Sequence, residues 1–246
     1  MFLVYMGRQM KLWMATLFIP LLSISLNVNA GIGTITEQVA APPSIQRSKT
    51  TLTGAKGTAV EMMDTVNTAR GKVGITFQDD TKVEVNENSK LVIDDFIYDP
   101  KAKSGGKLAV KVALGTVRYA SGAIAKNNPQ AVAINTPTAT VGVRGTDFTA
   151  TVDELGESTI ILLPSCRQGW QDIERDCKTG AIEVSNEAGS VLLNKPFQGT
   201  KVMSRNMPPM KPVTLNLTAD AINNLLILSP PKELRSEEHT SELQSH

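Results

Sequence analysis

The sequence predicts an all-β protein, and three observations carry the prediction. Apolar residues recur with a period of two, as in Val73, Ile75 and Phe77 and again in Val83 and Val85. The runs are short and separated by turn residues such as the Asp79–Asp80 pair and Asn86 to Asn88. Few stretches of the central chain show the helical repeat. Strands of this length and spacing fit a sandwich, a barrel or a β-solenoid, and periodicity alone leaves the three open.

Both ends are set aside before the elements are placed. Arg8 and Lys11 precede an apolar run from Leu12 to Leu26, followed by the small-residue site Val28, Asn29, Ala30. This is a secretory signal peptide over 1–30, with cleavage expected after Ala30. The run is shorter than the roughly 20 residues that span a bilayer, and Pro20 interrupts it, so the membrane is expected to matter only during export. At the other end, 235–246 reads RSEEHTSELQSH and resembles the translation of a sequencing-library adapter. It is read as an artefact, with the natural carboxyl end lost beyond Leu234. Both histidines, His239 and His246, lie in that string.

Between these ends the elements follow in order. Residues 31–48 form a lead-in with one short strand at 33–39, and Ala40 to Pro43 break its periodicity. The main β domain is expected over 49–205. Its strands are 73–77, 83–85, 91–97, 108–119, 131–135, 138–143, 147–152 and 158–163, then 181–184, 191–194 and 200–203. An insertion at 164–179 interrupts them. Residues 206–234 form a Pro-rich joint and a helix: Thr218 caps it, Asp220 favours its positive end, Ile222, Leu225, Leu226 and Ile227 give an apolar face, and Pro230 stops it.

The segment NTPTATVGVRGTDFTATVD, residues 135–153, couples two strands through a turn that holds an arginine between glycines. Pro137 suits a strand entrance, and Gly142 and Gly145 allow positive φ or close backbone approach. Arg144 has five donors, with Asp147, Asp153 and turn carbonyls nearby in sequence. It is expected to be a buried or half-buried clasp between strands, so that Arg144→Ala costs about 2–4 kcal/mol. A ligand or partner contact is the competing reading.

The order Thr136, Pro137, Ala139, Gly142, Val143, Arg144, Gly145, Thr146, Phe148 and Val152 resembles the signature of FecR-type (ferric-citrate regulator) domains, a bacterial envelope family. The stretch KVGITFQDDTKVEVNENSKLVIDD is similar to the family's strand, turn, strand unit, with Asp79, Asp80 and Thr81 where relatives often carry Asp, Gly and Ser. The resemblance spans about 49–163 and implies a solenoid-like stack of short β coils. It also implies an envelope-side interaction module, which in the best-known members relays a receptor's state to a sigma factor. Only the short stretch from Met1 to Lys11 precedes the hydrophobic run, so no direct sigma-factor contact is expected.

Cys166 and Cys177 are the two cysteines of the chain. An exported chain meets an oxidising compartment, so they are expected to form a disulfide that stabilises the fold by about 3 kcal/mol in the chain-entropy model. Trp170 stands between them, either capping the sheet below or contacting a partner.

Chemistry is thinly provided. A formal net charge of +1 and scarce aromatics argue against nucleic-acid binding. Without histidine before residue 239 there is no Ser-His-Asp triad, and two thiolates alone leave a zinc shell half filled. Ser104 and Lys107 have Ser-x-x-Lys spacing but lie in a loop. Asp94 and Asp95 are adjacent in a strand and should point to opposite faces. Asp79, Asp80, Asn86, Glu87 and Asn88 could gather calcium at two turns, yet no calcium-loop motif is present. Hence no enzyme, cofactor or metal is expected. The expected function is a periplasmic or secreted module that binds another envelope protein or ligand, with a structural spacer of a longer surface protein as the alternative.

Overall fold

The computed structural model describes residues 31–102, 105–166 and 172–216. In chain order the strands are β1 (Gly33–Ala40), β2 (Ser44–Arg47), β3 (Thr50–Thr53), β4 (Ala59–Val60), β5 (Thr65–Asn67), β6 (Gly71–Phe77), β7 (Lys82–Val85), β8 (Lys90–Tyr98) and β9 (Gly106–Ala120). Helix α1 (Ala123–Asn127) precedes β10 (Val132–Asn135), β11 (Thr140–Arg144), β12 (Asp147–Val152) and β13 (Ser158–Leu163). The insertion contributes β14 (Ser165–Cys166), the one-turn helix α2 (Ile173–Asp176) and β15 (Cys177–Lys178). Then come β16 (Ala181–Asn186), β17 (Gly189–Leu193), β18 (Gln198–Val202) and β19 (Val213–Thr214). The signal peptide expected over 1–30, Ser104, Trp170, the helix expected from Thr218 and the 235–246 string lie outside the described residues. Among the described residues, no helix is long and apolar enough to cross a membrane.

The strands build two layers that share one strand. The first runs β4, β1, β6, β7, β9, β12, β13, β18, β19. The second runs β3, β2, β5, β8, β9, β10, β11, β16, β17. Because the chain crosses repeatedly between layers, successive pairs stack along one axis into an open, flattened, solenoid-like body. Its ladders among the described residues are antiparallel except for β9 with β10, where α1 carries the chain back to the second layer. Residues 31–48 are built into this stack: β1 pairs with β4 and β6, and β2 with β3 and β5.

The core lies between the layers. Val73, Ile75 and Phe77 of β6 face inward from one side, and Leu91, Ile93 and Phe96 of β8 from the other, all buried. Phe77 and Phe96 stack across the gap with ring centroids 5.5 Å apart. Burying each such side chain is worth about 1.5–3 kcal/mol, so the two-residue period drives the layering.

Two irregularities reset that period. In β9, Leu108, Val110 and Val112 are buried, then Val117 and Tyr119, a change of phase. Gly115 makes the change: its φ is +80°, and a Cβ there would lie 2.2 Å from Ser89 Oγ. The register of β8 against β9 shifts between Ile93 and Asp95. This bulge corrects the expectation for Asp94 and Asp95: they do not alternate cleanly across the sheet, and both are half-buried while Phe96 returns to the core.

Helix α1 also departs from the sequence expectation. Its first turn is capped from far away, because the buried Asp79 carboxylate accepts the Ile124 amide at 3.1 Å and the Asp79 carbonyl accepts the Ala123 amide at 2.7 Å. The same carboxylate accepts the Thr81 amide and hydroxyl at 3.1 and 2.8 Å. Asp79 is therefore occupied in tying the β6–β7 turn to α1. Asp80 takes φ +64° in that turn, where glycine is the unstrained choice.

Candidate functional site

The signature segment occupies β10, β11, β12 and their two connections. In the first connection the buried Thr136 hydroxyl donates to the Ala139 carbonyl at 3.1 Å and accepts the Ala139 amide at 3.0 Å. It also accepts the Ser158 hydroxyl at 2.8 Å. Ser158 lies 2.6 Å from the Thr138 hydroxyl, and Thr138 donates to the Val202 carbonyl at 3.2 Å. This hydroxyl chain ties the β10–β11 turn of the second layer to β13 and β18 of the first. Pro137 leaves its carbonyl to accept Arg205 Nε at 2.7 Å.

The second connection passes from β11 to β12. Gly145 takes φ +64°, the left-handed turn expected of it. Thr146 is buried; its amide donates to the Ser121 hydroxyl at 2.9 Å, and its hydroxyl accepts the Gly180 amide at 3.3 Å. Phe148 is fully buried, with its ring centroid 5.3 Å from that of Tyr119. Gly142 differs from expectation. It lies within β11, in register with Ala133 and Glu183, and a Cβ there would meet only the Glu183 carbonyl at an ordinary 3.9 Å.

Arg144 overturns the clasp expectation. It ends β11 opposite Ala181, is exposed, and among the described residues its guanidinium has no hydrogen bond or ion pair. Its backbone is held tightly instead: a Cβ on Gly180 would come within 2.9 Å of the Arg144 carbonyl. Asp147, its nearest sequence candidate, is taken by Arg118, whose Nη2 donates to Asp147 Oδ2 at 3.2 Å while Nη1 lies 3.7 Å from Glu84. Burial raises the Asp147 carboxyl above its ordinary range, against the opposing pull of Arg118 and the Ser165 hydroxyl.

A true arginine clasp exists elsewhere. Arg47 binds Asp64 through two donors, Nε at 2.9 Å and Nη2 at 2.7 Å, and Glu61 through Nη1 at 2.6 Å. Nη2 also reaches the Ala59 carbonyl at 2.9 Å. Asp64 is fully buried and accepts the Glu61 amide as well, at 2.8 Å. Sequence reasoning missed Arg47, Asp64, Arg118 and Ser158, because each pairing joins residues that only the layer crossings bring together.

The insertion sits on the crossing from β13 to β16. β14 and β15 pair, and Cys166 and Cys177 form the disulfide, with their Cα atoms 4.0 Å apart. It adjoins both the Arg118–Asp147 pair, through Ser165, and the Arg144 backbone, through Gly180. Of the Ser-x-x-Lys pair, Lys107 is bound to Asp95 at 2.9 Å. Among the described residues, no three His, Cys, Asp or Glu side chains gather as a metal set.

Residues 64–163 match the family model described as FecR protein. The match runs from the clasp carboxylate Asp64 to Leu163 at the end of β13. Two crystal structures of a provisionally assigned anti-sigma factor from Parabacteroides distasonis are similar to it. One shares 16% identity at a TM-score of 0.43, covering 66% of this chain and 64% of that one. The other shares 16% at 0.42, covering 65% and 62%. The chain thus spans less than two thirds of the length of these solved chains. No curated protein matches.

Proposed function

We propose that the chain is an exported, non-enzymatic binding module of the bacterial envelope, which docks another envelope protein in cell-surface signalling. The observation that carries this reading is Arg144, a guanidinium that is exposed and has no partner among the described residues, on a backbone packed closely by Gly180, which Thr146 holds in place. A fixed arginine with free donors suits recognition of a carboxylate or a row of carbonyls. Trp170, in the disulfide-bounded insertion whose base touches this rim, is the proposed second contact. The FecR-domain match over 64–163 supports the signalling context.

The test is photo-crosslinking in living cells from position 144, with position 151 as a control, since Thr151 is exposed on β12 of the other layer. The reading expects a discrete envelope-protein adduct from 144 alone. Equal adducts from both positions, or none from 144, would contradict it. Amino-terminal sequencing of the protein from the envelope fraction should begin at Gly31; retention of the uncleaved leader would refute export by this route.

A further inference from the structure

Methionine is ordinarily a core residue, yet the core cluster contains none. All five methionines of the described residues are exposed: Met62 and Met63 together, and Met203, Met207 and Met210 within one short segment. The segment is a loop joining β18 to β19. Its mouth is fixed where the Met210 amide donates to the Lys201 carbonyl at 2.9 Å, so Met203, just after β18, and Met210 flank the same opening. Met207 lies inside the loop, turned back by its amide's bond to the Ser204 carbonyl at 3.4 Å.

The loop is anchored on both sides. Asn186 Nδ2 donates to the carbonyls of Ser204 at 3.0 Å and Met207 at 2.7 Å, and the Thr200 hydroxyl donates to the Met210 carbonyl at 2.7 Å. Three thioethers are thus carried by a fastened backbone while their side chains stay exposed to solvent. Of the neighbouring cations, Lys201 is engaged with Glu157 at 2.5 Å and Arg205 Nε with the Pro137 carbonyl, while Lys211, next to Met210, is exposed.

We propose that Met203, Met207 and Met210 form a binding site for a soft monovalent metal ion, Cu(I) or its analogue Ag(I). Thioether sulfur is a neutral, polarizable donor that selects such ions over the harder divalent cations. It remains available in an oxidising compartment, where the two cysteines are consumed in their disulfide. Three sulfurs within one loop suit an ion that accepts low coordination. Neither histidine is needed, and both lie in the 235–246 string.

The test titrates Ag(I) into the full chain carrying methyl-13C methionine. The ε-methyl signals of Met203, Met207 and Met210 should shift together and saturate at one ion per chain, while those of Met62 and Met63 stay in place. Replacing all three by leucine keeps the apolar surface and removes the sulfur. That variant should lose the binding, and Met62→Leu with Met63→Leu should keep it. Cu(I) held by a chromophoric chelator should be withdrawn by wild type and not by the triple variant. Absence of saturable binding to wild type would overturn the proposal, as would undiminished binding to the triple variant. Signals that move equally at all five methionines would overturn it too, marking non-specific thioether contact. Loss of a protein adduct in the triple leucine variant, with no metal bound by wild type, would instead make the loop a docking surface.

Discussion

Arg47 and Arg144 each end a strand of the same layer, β2 and β11, and have opposite fates. Around Arg47 the next crossing brings Glu61 and buried Asp64 within bonding distance, so four hydrogen bonds reach three acceptor groups. Around Arg144 the neighbouring turn and crossing bring Gly180, held by Thr146, against its backbone, and among the described residues nothing bonds its side chain. A charged residue at a strand end is thus made structural or available by what the following turn supplies. In the signature segment the holding is done by hydroxyls, and the arginine has no partner among the described residues.

The largest effect should come from removing the acceptor that distinguishes the two arginines. Asp64→Asn takes away the buried one of Arg47's two carboxylate partners, leaves Glu61, and sets a buried amide beside the guanidinium; urea melts should show a loss of about 3 kcal/mol. A midpoint shift near zero would mean that Arg47 and Arg144 are equivalent after all. Next comes Thr136→Val, which keeps the shape but strips partners from Ser158 and the Ala139 amide. It should cost about 1–3 kcal/mol, because the orphaned groups remain buried. A neutral result would move the segment's structural role away from its hydroxyls.

A smaller, pH-dependent effect is expected at Asp147, whose engagement by Arg118 leaves Arg144 without a carboxylate. Burial raises its pKa in the folded state, so the folded chain holds a proton that the unfolded chain has already released. That contribution to stability is complete below the model-peptide value of 3.8 and is lost as pH rises through the folded value. Asp147→Asn fixes the neutral form and should flatten this decline. Melting midpoints collected across the acidic range would check it; identical slopes for both proteins would exclude the group.

Much of the fold was legible because burial writes itself into alternation. Val73, Ile75 and Phe77, or Leu108, Val110 and Val112, read as strands and are strands with those residues inside. The layering was less legible, since the β8 bulge and Gly115 change the phase within an apparently uniform run. Helix α1 carried too little signal, being five residues long and capped by Asp79 from another hairpin. At the site, Thr136, Gly145, Thr146 and Phe148 were found from their order in the segment. Their partners were not, because Ser158, Ser121 and Gly180 reach them only through the crossings. Arg144 was found but given the role that Arg47 plays, as sequence proximity to Asp147 does not reveal that Arg118 reaches that carboxylate from β9.

The most direct measurement compares denaturant melts of Arg47→Ala and Arg144→Ala with wild type under one set of conditions. The clasp predicts a loss of about 2–4 kcal/mol for Arg47→Ala, and a free surface arginine predicts a change within about 0.5 kcal/mol for Arg144→Ala. Equal losses in both variants, or a larger loss in Arg144→Ala, would contradict the assignment of structure to one arginine and availability to the other.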